Sequence, residues 1–231
     1  YTPDPRVRIS RITAGGGAPR NWTTVTGQAS GDLIKLVCGD DLLHPECLAQ
    51  QVAAFDRHPD AVLVASQRDI LDPSGRVLVA GRGVQGLSGL VPGSKAIRRT
   101  VRSGTNVFGE PACVMFERAA LADSGGWDAR SPYLIDQATC AQVLLRGPMV
   151  AIRRSLAGFR VNPGQWSVEL SREQAAHARA FHHRLAAENP GLLSRSDLWM
   201  GDARATAMAF ARRGTYRWLE WRSRHGHGVE Q

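Results

Sequence analysis

Apolar and polar positions along the chain predict short buried strands that alternate with helices. Residues 33–38 form a mostly apolar run of strand length, and Asp40 and Asp41 follow it almost at once. Such a run fits a strand buried in a parallel sheet, although its period alone does not separate it from a short buried helix. The two carboxylates are therefore expected at the C-terminal end of a strand, the edge where α/β sheets bind ligands.

Helical spacing starts just after these carboxylates. Pro45 suits the first turn of a helix, and Leu48, Val52 and Phe55 recur at helical spacing. We therefore expect a helix over residues 45–57.

The remaining pattern continues this alternation. Short apolar runs predict further strands at residues 7–9, 61–66, 112–116 and 149–152. Helices are predicted at residues 21–29, 118–123, 137–146, 172–188 and 202–221.

Two connecting segments have distinct signals. Residues 72–75 read Asp-Pro-Ser-Gly, in which proline presets one dihedral and glycine supplies a positive φ, so a hairpin turn is predicted. Residues 81–102 are basic and rich in glycine with little periodicity. We expect them to form a long surface segment that can move over a site.

Composition limits the classes of partner. The chain has 231 residues, 43% of them hydrophobic, which is enough for one domain with an appendage. Its net charge of +8 favours phosphorylated substrates, polyanions or acidic membrane surfaces. The basic residues are scattered rather than clustered with aromatic residues, so nucleic acid is not an expected partner.

The cysteines and the apolar runs bear on localisation. Four cysteines lie in apolar surroundings without Cys-x-x-Cys spacing, so we expect reduced thiols in a cytoplasmic protein. No apolar run approaches the ~18 residues that cross a bilayer. The chain begins at Tyr1 rather than at methionine, which indicates processing or a fragment.

Asp40 and Asp41 are the first candidates for chemistry. Adjacent carboxylates repel each other, and a divalent cation or a network of donors is the usual compensation. Their hard oxygen atoms suit Mg²⁺ or Mn²⁺, which keep coordination positions for the phosphates of a substrate. The alternative is that they only cap the following helix.

Motifs along the first two thirds of the chain together resemble family 2 glycosyltransferases. They are Asn21-Trp22, residues 31–36 and 38–41, Pro45, Pro59, residues 72–75, 109–111 and 125–128, Asp136 and residues 156–160. Each motif is weak alone, but their order and spacing match the family. The resemblance implies an α/β fold of the GT-A type, related to the Rossmann fold, with a mixed, mostly parallel sheet flanked by helices. It assigns this domain to residues 1–168 and leaves residues 169–231 as a C-terminal helical extension.

The resemblance also implies an activity and its residues. Family members transfer a sugar, such as a hexose, from a nucleotide-sugar donor to an acceptor hydroxyl with inversion. Asp41 matches the second aspartate of an acidic motif of the DXD type, which holds Mg²⁺ or Mn²⁺ on the donor diphosphate, and Asp40 lies near the ribose and the metal. Asp136 matches the catalytic base. The implied acceptor is a saccharide or a lipid-linked saccharide, in bacterial polysaccharide or glycoconjugate synthesis.

The sequence departs from the family in three places. Ile135 precedes Asp136 where many relatives carry an acidic residue, and Asn162 stands where relatives often have a histidine near the metal. The family's opening strand, helix and second strand, which bears an aspartate that recognises the base, have no counterpart before Arg11. We therefore expect a member that lacks the N-terminal nucleotide-binding segment and is inactive as it stands.

Three further residues are candidates for substrate binding. Arg20 and Asn21 lie beside the glycine-rich loop at residues 15–17, which has neither Gly-x-Gly-x-x-Gly spacing nor a phosphate-binding lysine. If no N-terminal segment is needed, these two residues are expected to supply the nucleotide contacts. Glu110 is the third candidate, and Tyr133 is a substitute for the base.

Two alternatives concern the role of the chain and its C-terminal helices. A non-catalytic module that binds a nucleotide sugar or a protein is the second hypothesis, and retention of Asp40, Asp41 and Asp136 favours an enzyme. His177, His182 and His183 predict a solvated helix face rather than a metal site. Trp218 and Trp221 among arginines fit either core packing or peripheral association with the inner face of the membrane.

Overall fold

The computed structural model describes residues 4–13, 15–161 and 173–225, with the backbone alone for residues 212–225. Its strands are β1 (Leu33–Ile34), β2 (Leu42–Leu43), β3 (Leu63–Leu71), β4 (Val77–Arg82), β5 (Gly89–Val91), β6 (Val114–Glu117) and β7 (Met149–Arg160). Its helices are α1 (Gly17–Gly27), α2 (Cys47–Arg57), α3 (Gly93–Ser103), α4 (Arg118–Asp123), α5 (Ile135–Leu144), α6 (Gln174–Glu188) and α7 (Arg195–His225). Two 3-10 turns, Pro111–Cys113 and Pro132–Leu134, precede β6 and α5.

The strands form one mixed sheet in the order β1-β6-β3-β7-β2, with β4 paired to β3 and β5 paired to β7. The long central strands β3 and β7 run parallel, from the pair Leu63 and Met149 to the pair Leu71 and Arg160. The other described pairs are antiparallel. The predicted mixed α/β sheet flanked by helices is confirmed, with parallel pairing limited to its central pair.

The strand predicted at residues 33–38 is shorter in the structure. Within this run only β1 pairs with another strand, and it is antiparallel to β6. Beyond it, the partly buried ammonium of Lys35 donates hydrogen bonds to the carbonyls of Ala112 (2.6 Å) and Val114 (3.3 Å). A side chain therefore ties this part of the run to the next segment, and Asp40 and Asp41 lie in the connection between β1 and β2.

The segment at residues 81–102 is not the mobile surface segment that its composition predicts. It forms β5 and then α3, whose residues Ile97 and Val101 are fully buried. Two basic residues of the other face, Arg98 and Arg102, form ion pairs with Asp197 of α7 at 3.3 and 2.8 Å. This amphipathic helix was not predicted, because its arginines dominate the sequence and its buried face has few large apolar residues.

Other local predictions are confirmed within narrow limits. The turn at residues 72–75 closes the hairpin of β3 and β4, with Gly75 at φ +87° and its N–H donating to the carbonyl of Asp72 at 2.9 Å. Helices α2 and α4 occupy their predicted positions, whereas α1 begins earlier than expected and residues 7–9 do not form a strand.

The C-terminal helices share the main core with the sheet. Phe181 and Leu185 of α6 and Ala205 of α7 are buried in one cluster with Ile97 and Phe116. All four cysteines are free. No helix in the described ranges is long and apolar enough to span a bilayer. The side chains of Trp218 and Trp221 lie outside the described residues.

The prediction of a solvated face for the histidines of α6 is wrong for His182. Its side chain is fully buried, whereas the neighbouring His183 is 60% exposed. Packing of α6 against the core decides the difference, because residues 181, 182 and 185 all face inward. Sequence spacing alone gave no sign of this orientation.

Candidate functional site

A cavity of about 1000 Å³ brings together acidic side chains that are far apart in the sequence. Asp40 and Asp41 line it from the connection between β1 and β2, and Asp136 lines it from the start of α5. Glu110 and Arg68 complete this polar wall. Four of the predicted site residues therefore share one cavity.

The acidic connection is fixed by Arg160 at the end of β7. The Arg160 N–H donates to Oδ1 of Asp41 at 3.4 Å, and its Nε donates to the carbonyl of Asp40 at 3.1 Å. Another nitrogen of its guanidinium donates to the carbonyl of Pro73 at 2.9 Å. Arg160 thus joins the aspartates to the β3–β4 hairpin. The helix-cap alternative is wrong, because α2 begins only at Cys47 with Glu46 at its cap position.

Asp41 is in an environment that disfavours its charge. Asp41 is only 8% exposed to solvent. Burial, followed by the charges of Asp40 and Glu110, raises the pKa of the Asp41 carboxyl to about 7. A divalent cation would offset this cost, so the residues fit the implied Mg²⁺ or Mn²⁺.

The protein supplies few metal ligands of its own. Among the residues that the structure describes, no three His, Cys, Asp or Glu side chains form a group that could hold a metal ion. Mg²⁺ is commonly bound by one or two carboxylates together with substrate phosphates and water. Asn162, the departure near the expected metal position, lies outside the described residues.

Asp136 is held as a hydrogen-bond acceptor. Its Oδ1 accepts from the N–H of Gln137 at 2.8 Å, and its Oδ2 accepts from Nδ2 of Asn106 at 2.9 Å. Burial, and then the charge of Glu110, raises the pKa of the Asp136 carboxyl to about 6. Such a carboxylate is ionised at neutral pH and is a better proton acceptor than an ordinary aspartate. Ile135, beside it, belongs to the core.

Arg68 is a site residue that the sequence pattern did not reveal. It lies in β3, is 8% exposed, and forms an ion pair with Glu110 at 2.5 Å between Nε and Oε2. Its Nη2 also donates to Oε1 of Glu110 at 2.8 Å. A signal existed in principle, since an arginine within a strand next to buried apolar residues requires an acidic partner.

Helix α1 reaches the cavity through a different residue from those predicted. Trp22 lines the cavity and packs edge-on against Trp127, with ring centroids 5.0 Å apart. Asn21 instead lines a smaller cavity of about 390 Å³, and Arg20 is exposed. The structure therefore does not bring Arg20 and Asn21 to the carboxylates, and their contact with a nucleotide stays a prediction.

Comparison with known families agrees with this geometry. Residues 1–125 match the family described as glycosyl transferase family 2. The chain belongs to glycosyl transferase family 2. The matched range includes Asp40, Asp41 and Glu110 but ends before Asp136. Asp136 is grouped with them because it lines the same cavity. No curated protein matches the sequence.

A solved structure has a fold similar to that of this family 2 chain. The crystal structure of S. aureus TarS 1-349 is similar with a TM-score of 0.53 and 17% identity, over 84% of this chain and 51% of that chain. A crystal structure of S. aureus TarS is similar with a TM-score of 0.47 and 18% identity, over 78% of this chain and 32% of that chain. The chain thus spans about half the length of TarS 1-349, and its likeness to that structure shows a shared GT-A-like α/β fold.

Proposed function

We propose that the protein is an inverting glycosyltransferase that moves a sugar from a nucleotide-sugar donor to an acceptor hydroxyl. The observation that carries this proposal is the meeting of Asp40, Asp41 and Asp136 in one cavity. Family membership supports a donor of this class and an acceptor beside it. We further propose a hexose as the transferred sugar.

The donor end of the site is the acidic connection. Asp41, with Asp40 beside it, would hold Mg²⁺ or Mn²⁺ against the donor diphosphate. When bound, the cation supplies Lewis-acid stabilisation of the charge on the departing nucleotide. Arg160 keeps both aspartates in place through its hydrogen bonds to them.

The acceptor end is Asp136. Its carboxylate takes the proton of the acceptor hydroxyl while that oxygen forms a bond to the anomeric carbon. The bond from this carbon to the diphosphate oxygen breaks, and the nucleotide leaves with the electron pair. Attack from the face opposite the nucleotide inverts the anomeric configuration.

We propose that Glu110, which lines the cavity, binds a hydroxyl of the donor sugar. Its Oε1 accepts a hydrogen bond from Nη2 of Arg68, and its Oε2 forms an ion pair with Nε of Arg68. A carboxylate has about four acceptor positions, so Glu110 can also accept from a ligand hydroxyl. Arg68 therefore acts as a positioning residue for Glu110.

The setting of the reaction is a further part of the proposal. We place it at the cytoplasmic side, in the synthesis of a polysaccharide or glycoconjugate, with a saccharide or lipid-linked saccharide as acceptor. The net charge of +8 supports peripheral association with an anionic membrane.

The test is turnover of UDP-, GDP- and dTDP-sugars by the complete protein, with and without Mn²⁺. Asp136→Asn should lower the rate by about 10²- to 10⁴-fold, the usual contribution of a general base. Asp56→Asn, at an exposed position of α2, is the matched control. Nucleotide-sugar binding without any turnover would favour the second hypothesis, a non-catalytic binding module.

A further inference from the structure

Helix α6 contributes a second polar wall to the cavity, separate from the carboxylates. His182 and Gln174 both line the cavity, and their exposed fractions are 0% and 4%. Buried polar side chains are normally paired. The two side chains therefore need partners that explain their position.

His182 has one nitrogen in use. Its Nδ1 lies 2.9 Å from Oδ1 of Asp202 in α7. Because a carboxylate only accepts, Nδ1 carries the proton, and in the neutral ring Nε2 is an acceptor. Burial lowers the pKa of His182, which favours the neutral ring. Within the described part of the chain, Nε2 is buried and has no hydrogen-bond partner.

Gln174 shows the same deficiency about two helical turns earlier in α6. Its Oε1 is buried and finds no hydrogen-bond partner among the described residues. An unpaired buried acceptor is costly to a folded protein. Two such atoms on one cavity wall indicate a site for a ligand that donates hydrogen bonds.

The position of this wall is fixed relative to Asp136. Arg184 of α6 donates to the hydroxyl of Ser131 at 3.4 Å and forms an ion pair with Asp128 at 3.5 Å. Ser131 directly precedes the Pro132–Leu134 turn that leads into Asp136, and Asp128 lies four residues before this turn. The α6 wall is thus tied to the segment that carries Asp136.

We propose that Nε2 of His182 and Oε1 of Gln174 bind hydroxyl groups of the acceptor, so that the α6 wall is an acceptor subsite. This inference rests on the proposed function, which places an acceptor hydroxyl at Asp136. Both protein atoms are acceptors, so the ligand must donate. A neutral polyhydroxy group, a saccharide or polyol end, fits this requirement, whereas a phosphate or carboxylate group does not.

The test measures binding directly. Methyl α- and β-D-glucopyranoside, methyl β-D-galactopyranoside and glycerol are titrated into the complete protein and followed by NMR. Gln174→Leu and His182→Gln should each weaken binding about three- to tenfold, the value of one neutral hydrogen bond. His183→Gln is the matched control, because His183 contacts the same Asp202 (2.8 Å) but does not line the cavity.

The stability of Gln174→Leu separates a binding role from a structural one. Replacing an unpaired buried acceptor by an apolar side chain should leave the melting temperature unchanged or raise it, while affinity falls. A parent protein that binds none of the probes, or variants that bind as the parent does, would overturn the inference. Mn²⁺-dependent hydrolysis of the donor is measured alongside. Its presence without probe binding contradicts the subsite alone, and its absence contradicts the proposed function.

Discussion

Asn106 donates a hydrogen bond from Nδ2 to Oδ2 of Asp136 at 2.9 Å. The same nitrogen donates to the carbonyl of Gly109 at 2.8 Å, and Oδ1 of Asn106 accepts from the N–H of Phe108 at 2.9 Å. Rotation of this amide would break three hydrogen bonds. Asn106 therefore fixes the orientation of the proposed base.

Asn106→Ala should lower kcat about tenfold, because the lost hydrogen bond is made to a charged group. It should also raise the pKa of Asp136, since the bond favours the ionised carboxylate. A pH–rate profile would show the acid limb at higher pH than in the parent. Asn189→Ala, which removes a hydrogen bond to the carbonyl of Leu185 at the end of α6, is the control and should not move the limb.

The rate of the parent protein should depend on pH through Asp136. With a pKa of about 6, the carboxylate is the ionised base above that pH and is protonated below it. The value of kcat should fall about tenfold per pH unit below the limb. A rate that stays constant from pH 7 to pH 4.5 would contradict the assignment of the base.

Asp41→Asn should stabilise the metal-free protein at neutral to alkaline pH. The pKa of Asp41 is raised from 3.8 to about 7 in the folded protein, so the folded state binds the proton more tightly than the unfolded state. The contribution of Asp41 to stability is therefore present below pH 3.8 and is lost as the pH rises to about 7. The Asp41→Asn variant has no carboxyl to ionise, so it should not lose this stability as the pH rises.

Thermal melting in EDTA and in Mn²⁺ checks this prediction. Each kcal/mol gained should raise the melting temperature by about 2–4 °C for a chain of this size. The variant should melt higher than the parent at pH 8 in EDTA but gain nothing from Mn²⁺ with a nucleotide sugar. Equal melting at pH 4 is the internal control. A metal-induced shift as large as that of the parent would refute the metal assignment.

The pair of Arg68 and Glu110 gives a double-mutant cycle. Arg68→Met should destabilise the protein by about 1–3 kcal/mol, because it leaves Glu110 partly buried without its ionic partner. Adding Glu110→Met should recover most of that loss while donor binding stays weak. The exposed pair Arg154 and Glu46, which does not line the cavity, is the control, where Arg154→Met should change stability by less than about 1 kcal/mol. Denaturant titration and nucleotide-sugar binding give the two readouts.

Local signals carried most of the successful sequence predictions. The turn at residues 72–75, the bounds of α4 and the place of Asp136 in the first turn of α5 are set by residues close in sequence. The roles of Arg68 and Asn106 arise from partners in other elements, and the sequence pattern does not identify those partners. Helix α3 was missed because its buried face has few large apolar residues, and because Asp197, the partner of two of its arginines, lies far along the chain.

Gly201 of α7 limits the exchange of C-terminal helices between this chain and a relative. A Cβ at this position would lie 2.7 Å from the carbonyl oxygen of Val101 in α3 and 3.2 Å from Nδ1 of His182. Helices α3, α6 and α7 therefore touch at a point that has no room for a larger residue. A graft of α6 and α7 from a relative would meet an α3 surface shaped for a different partner. Chimeras that also carry the relative's α3 should fold, and those that exchange the C-terminal helices alone should not.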